Sequence, residues 1–204
     1  MNLKQLTLAI LAVSLSIHPA VAAPVNETDL AAVGKPLFTP DRNPATQYDN
    51  LLFPASADNK YGYINTSGVM IITPVFDGTF AFREGLGRVK VGRKYGYLSL
   101  SGKIVIAPTF DRASEFENGL ALVQTGSKYA YIDRTGKTVI DGSEFADATS
   151  FSDGLAVVRV GKKYGYIDTT GAIRIPAKFK FAHPFKTGIA LVVGEGEEIG
   201  RAHV

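Results

Sequence analysis

Residues 94–98 read Lys94-Tyr95-Gly96-Tyr97-Leu98, and nearly the same phrase returns three more times. It stands as Lys60-Tyr61-Gly62-Tyr63-Ile64, as Lys128-Tyr129-Ala130-Tyr131-Ile132, and as Lys163-Tyr164-Gly165-Tyr166-Ile167. Successive copies start 34, 34 and 35 residues apart. A fixed period of this size is the mark of a repeat architecture, in which one supersecondary unit is stacked on its copies. Within the phrase the tyrosines fall at i and i+2, on one face of a strand.

Working outward, each copy continues in the same way. A glycine follows the phrase in Gly68, Gly102, Gly136 and Gly171, as the last residue of an Asp/Asn/Ser-x-Ser/Thr-Gly turn. That placement predicts a type I turn closed by a left-handed residue, where glycine sits freely. An apolar run comes next, then a phenylalanine (Phe76, Phe110, Phe145, Phe179), then a second one (Phe82, Phe116, Phe151, Phe185), then Gly-Leu or Gly-Ile. Leu120-Ala121-Leu122-Val123 reads as a strand joined to the tyrosine strand through Thr125-Gly126-Ser127. The unit is therefore expected to be a three-stranded antiparallel meander. The stretch between units, as in Phe110-Asp111 to Phe116, is expected to be a compact turn or short helical loop capped by Asp77 or Asp111. The glycine inside the phrase is replaced by Ala130 in one copy, so it is an ordinary strand position. A neighbouring backbone or ring passes close over it.

The fold class expected is all-β: tandem repeats of about 34 residues stacked as an open array, with a propeller-like ring as the alternative. The repeats run 60–93, 94–127, 128–162 and 163–197. A half-repeat covers 38–59, because Thr39-Pro40 and Leu52 lie 34 residues before Thr73-Pro74 and Leu86. Residues 23–37 are a leader or linker.

Met1 to Ala22 reads as a secretory signal peptide, with Lys4 in the n-region, an apolar Leu6–Ile17 and a small-x-small site at Ala20-Val21-Ala22. Cleavage after Ala22 and a periplasmic or secreted destination are expected. The mature chain holds no apolar run near the ~18 residues that a membrane span needs. At the other end, Gly194-Glu195-Gly196 replaces the anticipated Gly-x-Lys-Tyr-Gly-Tyr, and 198–204 is expected to be a non-native tail. Glu-Ile-Gly-Arg-Ala-His-Val is the in-frame reading of a widely used sequencing-adapter sequence. A degenerate capping strand is the rival reading.

The chemistry expected of the chain is sparse. It has 204 residues, 46% hydrophobic and 20% charged, with a net charge of +3, no cysteine and three histidines. Thiolate metal sites, disulfides and a cysteine nucleophile are excluded. His18 leaves with the signal and His203 lies in the suspect tail, so His183 stands alone in a loop slot. No nucleophile elbow, phosphate loop, dinucleotide fingerprint or calcium loop occurs. No catalytic residue, metal or cofactor is assigned, and the near-balanced charge speaks against nucleic acid. The tyrosine pairs Tyr61/Tyr63, Tyr95/Tyr97, Tyr129/Tyr131 and Tyr164/Tyr166, with lysines beside them, are the candidate binding surface. The competing reading puts one tyrosine of each pair in the core.

The aromatic-Gly-Tyr-Ile core, the Thr-Gly turn, the Pro-x-Phe-Asp segment and the Gly-Leu-Ala strand together resemble the bacterial WG repeat, also called the KWG repeat. The resemblance covers 60–194. It departs at Tyr61, Tyr95, Tyr129 and Tyr164, where the family often carries tryptophan, and at Ala130. It implies a β-repeat scaffold of diverse bacterial proteins and transfers no catalytic residue. The function expected is a non-enzymatic binding module of the cell envelope, with an unknown protein or envelope polymer as partner. The alternatives are an accessory domain of a longer envelope enzyme and a periplasmic immunity or inhibitor protein.

Overall fold

The computed structural model describes residues 51–196 and 199–203. The expected signal peptide and leader, and the half-repeat as far as residue 50, lie outside the described residues. Five antiparallel sheets follow one another along the chain, each with its strands in chain order. The first holds β1 (Phe53–Ala57), β2 (Lys60–Ile64) and β3 (Met70–Phe76). The second holds β4 (Gly78–Arg83), β5 (Leu86–Val91), β6 (Lys94–Ser99) and β7 (Ile104–Phe110). The third holds β8 (Arg112–Ala113), β9 (Ala121–Thr125), β10 (Lys128–Ile132) and β11 (Thr138–Gly142). The fourth holds β12 (Phe145–Ala148), β13 (Leu155–Val160), β14 (Lys163–Asp168) and β15 (Ile173–Phe179). The fifth holds β16 (Phe181–Ala182), β17 (Ile189–Val193) and β18 (Ile199–His203). The chain is all-β among the described residues, and no helix there is long and apolar enough to cross a membrane.

The expected three-stranded meander is present in the first four sheets, and from the second sheet onward a further strand is added at the edge. The Phe-Asp stretch, expected as a turn or helical loop, becomes β4, β8, β12 and β16. Its backbone donors find partners on the second strand: Asp77 N–H reaches Lys90 O at 2.9 Å, Asp111 N–H reaches Gln124 O at 2.8 Å, and Lys180 N–H reaches Val193 O at 2.8 Å. Pairing to an adjacent strand satisfies these groups with no helical turn. Residues 199–203, the expected tail, add β18 in the place of the tyrosine strand, with Gly200 opposite Val192 as Gly96 is opposite Val89.

Consecutive sheets pack face to face with a stagger. The third strand of one lies over the first strand of the next, as β6 does over β8 and β10 over β12, and β7 lies over β9. Each of the four apolar clusters is drawn from two consecutive sheets. Internal sheets are buried on both faces, so neighbouring residues serve different interfaces. Val157 and Leu155 pack toward the fifth sheet, while Ala156 and Val158 pack toward the third. Period-two alternation therefore vanishes from Leu155–Val158 of β13, which reads as a continuous apolar run.

The centre of each interface is the second tyrosine of the phrase. Tyr63, Tyr97, Tyr131 and Tyr166 are fully buried. Each ring meets the second phenylalanine of its own repeat, which the chain places in the next sheet. The centroids are 4.9 Å apart for Tyr63–Phe82, 4.8 Å for Tyr97–Phe116, and 4.9 Å for both Tyr131–Phe151 and Tyr166–Phe185. Each hydroxyl donates to a backbone carbonyl of the next sheet: Phe80 at 2.8 Å, Ser114 at 2.5 Å, Thr149 at 2.8 Å and His183 at 2.8 Å. Such a tilted aromatic pair adds about 0.5–1.5 kcal/mol beyond its buried area, and the hydrogen bond about 1 kcal/mol.

The two glycine roles separate as expected. Gly68, Gly102, Gly136 and Gly171 have φ of 77°, 80°, 88° and 86°, and each donates its N–H to the carbonyl three residues back. In the strand phrase the reason is space. A Cβ on Gly96 would stand 2.5 Å from Ile106 O, and one on Gly165 would stand 2.6 Å from Ile175 O. There the fourth strand bulges, since Tyr95 pairs Phe110 while Tyr97 pairs Ile106. Opposite Ala130 the bulge is gone: Tyr129, Ala130 and Tyr131 face Gly142, Asp141 and Ile140 in even register. The methyl group and the straight ladder go together.

Outside the core, Asp77 and Asp111 bind across the sheet boundary. Asp77 accepts from Lys60 Nζ at 2.6 Å and Gly92 N at 2.6 Å; Asp111 accepts from Lys94 Nζ at 2.7 Å and Gly126 N at 2.8 Å. Ala146 and Lys180 fill the same place later in the chain, and Lys163 pairs with Glu195 instead. Burial pushes the Asp77 carboxyl up, but the Lys60 ammonium and the Gly92 N–H outweigh it and the net shift is downward. The Lys94 ammonium and the Gly126 N–H hold Asp111 below the ordinary 3.8. The Thr135 and Thr170 hydroxyls lead the same downward shift at the turn residues Asp133 and Asp168.

Two measurements check this account. Gly96→Ala is expected to cost about 2–3 kcal/mol in denaturant unfolding, because the new methyl meets rigid backbone. Ala130→Gly is expected to cost only about 0.5–1 kcal/mol, the entropy of a strand glycine. Because these aspartates titrate lower in the folded chain, the stability they confer is complete above 3.8 and is lost as the pH falls through their depressed folded values. The unfolding midpoint should drop below that pH, and D77N/D111N should flatten the drop.

Candidate binding groove

Along each second strand, one row is constant and its neighbour is not. Val89, Val123, Val158 and Val192 are all buried, and they stand opposite the small residues Thr79, Ala113, Ala148 and Ala182. One residue further, the cross-strand pairs are Gly78 with Lys90, Arg112 with Gln124, Asp147 with Arg159, and Phe181 with Val193. The row thus changes from basic through mixed to apolar while the framework beneath it stays the same. Arg112 and Phe181 are exposed, and the rest are half-buried.

The first tyrosines stand beside this row. The Tyr95 ring has the Lys90 ammonium 5.8 Å and the Arg88 guanidinium 5.7 Å from its centre. The Tyr129 hydroxyl is 3.5 Å from an Asp147 carboxylate oxygen. Tyr164 has Phe181 at 5.6 Å and the Arg159 guanidinium at 5.9 Å. Tyr61 is 41% exposed. Of the expected binding surface, Tyr61 is thus exposed and Tyr95, Tyr129 and Tyr164 are half-buried. The other half is corrected: Tyr63, Tyr97, Tyr131 and Tyr166 have no exposed area. Burial raises the pKa of all four hydroxyls, that of Tyr166 to about 12. They are interior neutral donors.

A cleft of about 330 Å³ opens where the second, third and fourth sheets meet, lined by Arg88, Arg112, Gln124, Tyr129 and Asp147 among others. Arg88 is unusual within the repeat. Its equivalents are Leu122, Val157 and Leu191, so a guanidinium takes a slot that is aliphatic in the three sheets that follow. It lies over the Phe80 ring, 3.9 Å from the centroid, and one Nη donates to Ala113 O. Its Nε is buried without a partner, as is Gln124 Oε1. Sequence reading missed Arg88, Arg112, Gln124 and Asp147. The signal was available in the columns of the repeat, where a charge among aliphatics and a position that never repeats both stand out.

His183 is exposed and its ring stands edge-on to Phe181, with 4.9 Å between centroids. Among the described residues no group of three or more His, Cys, Asp or Glu is placed to hold a metal ion.

Comparison with curated proteins gives no match. Among solved structures, the chain is similar to the computationally designed Ika4 protein at 10% identity, over 60% of this chain and 88% of that one, with a TM-score of 0.39. It is similar to a eukaryotic initiation factor at 11% identity, over 75% of this chain and 52% of that one, with a TM-score of 0.47. It is similar to the WD40 β-propeller domain of Doa1 at 11% identity, over 75% of this chain and 64% of that one, with a TM-score of 0.34. The chain thus spans about half to two-thirds of the length of the last two. The family model for the WG containing repeat matches residues 61–95, 95–129, 129–164 and 164–196 in unbroken succession. The first three matches each run from the first tyrosine of one phrase to that of the next, and the chain belongs to the WG-repeat family.

Proposed function

We propose that this chain is an exported, non-enzymatic binding module of the bacterial cell envelope, and that its partner lies along the groove of first and second strands. The observation that carries the reading is the pair of rows, one fixed and one varied, on the same strands. A row used only for packing has no reason to change from Lys90 to Gln124, Arg159 and Val193 while its valine neighbour is kept. Four chemically different pairs in succession suit a partner whose own chemistry changes along its length. That favours a protein over a uniform polymer, which a uniform row would match. The surface tyrosines supply rigid contact area with a polar tip beside each pair. Export rests on the signal peptide read at Met1–Ala22.

The test is capture from envelope extract by the immobilised chain, compared with R112A/D147A/F181A. These three residues lie outside the four tyrosine contacts, so the variant should keep its unfolding midpoint. The parent should retain a protein that the variant releases. Equal retention by both, or nothing captured by either, overturns the reading.

A further inference from the structure

We infer that the cleft between the second, third and fourth sheets is an anchor for the terminal carboxylate of an extended peptide, read together with the N–H beside it. This rests on the groove reading and names what one part of the groove takes.

Arg88 departs most from the repeat in this cleft. Replacing an aliphatic residue by arginine in a slot facing the next sheet sacrifices packing, and in the next two sheets Leu122 and Val157 fill it. The guanidinium is nonetheless held in one place. Phe80 supports its face and Ala113 O takes one Nη, so the fork is oriented before any ligand arrives. Its Nε–H is buried without an acceptor. A buried donor left unpaired costs about 1–3 kcal/mol, and a planar carboxylate bound by two parallel N–H groups is the partner that guanidinium geometry suits best. Arg112 adds a second cation at the exposed rim, and among the described residues no ion pair neutralises either arginine.

The acceptors of the cleft ask for a donor. Gln124 Nε2 donates to Gly126 O at 3.0 Å, which fixes the amide and leaves Oε1 buried with nothing to accept. Asp147, from the fourth sheet, carries one oxygen that accepts the Ala148 N–H at 3.0 Å and stands 3.5 Å from the Tyr129 hydroxyl. Arg88 from the second sheet and Asp147 from the fourth flank the cross-strand pair Arg112–Gln124 of the third, and their opposite charges define a direction. A ligand enters with its negative end toward Arg88 and its N–H toward Gln124 and Asp147. The end of a peptide chain carries both groups on one Cα. A volume of about 330 Å³ admits one terminal residue and part of the next.

The test uses small probes on the full chain. N-acetyl-L-alanine carries the carboxylate and the amide N–H, its carboxamide lacks the charge, propionate lacks the N–H, and free L-alanine replaces the amide by an ammonium. Titrations follow the Arg88 Nε–Hε and Gln124 side-chain resonances, with sodium chloride at matched ionic strength as the blank. N-acetyl-L-alanine should shift both, propionate should bind more weakly, and the carboxamide should shift neither. R88L installs a residue the repeat itself uses at this position, so it should fold, and it should weaken N-acetyl-L-alanine by about tenfold or more. Equal binding by the carboxamide, unchanged binding by R88L, tighter binding of free alanine, or no shift beyond the chloride blank each overturns the inference. R88L lies outside the groove variant R112A/D147A/F181A. Loss of the probe with partner capture intact therefore separates the cleft from the wider groove.

Discussion

One side chain, used four times, holds the sheets together. Tyr63, Tyr97, Tyr131 and Tyr166 each bury a ring against a phenylalanine of the next sheet and place a hydroxyl on a backbone carbonyl in or just after that sheet's first strand. The two contacts do different work. Ring burial is non-directional and sets how closely the sheets approach. The hydroxyl can be satisfied at one point only, so it fixes how far one sheet slides along the next. Phenylalanine at the same place would keep the first contact and leave a buried carbonyl without its donor. Because every such contact joins only neighbouring sheets, stability accumulates along the chain as a sum of nearest-neighbour terms.

Repetition made much of this legible, because each position of the unit is seen four times. The turn glycines and the glycine of the tyrosine strand are indistinguishable in a single copy. Ala130 separates them, since a methyl group is tolerable in an extended strand and strained at positive φ. What one copy could not reveal is that the change is answered across the ladder, where the bulge opposite Gly96 and Gly165 is absent opposite Ala130. Two features escaped sequence reading for physical reasons. The first strand of a sheet is only two residues long in β8 and β16, too short for any periodic signal. The tyrosine pair obeys alternation, with both rings on one face, yet Tyr97 is interior and Tyr95 borders the groove. Parity fixes the face of a strand but not the depth at which each residue meets the next sheet.

The groove follows from the same geometry. The second strand is covered on both faces in the interior of the array, so its valine row cannot vary without loss at an interface. The adjacent row lies toward the strand end that the next sheet leaves open, and there the constraint lapses. A fixed row and a free row alternating on one strand give a surface whose chemistry can change from sheet to sheet while its shape is kept. The progression from Lys90 to Val193 is what that freedom permits.

Arg88 shows how far such freedom extends inward. A guanidinium in an aliphatic slot would threaten a protein with a single core, where every buried side chain shares neighbours with many others. Here the loss is confined to the contact between the second and third sheets. That contact still keeps the Tyr97–Phe116 ring pair and the bond from Tyr97 to Ser114 O. The interfaces on either side are built from other residues, among them Val89 and Leu98 before it and Tyr131 and Val158 after it. A repeat array can therefore place an unpaired charge at one joint and leave the remaining joints at full strength, which makes a joint between sheets a natural position for a binding site in a fold without a common centre.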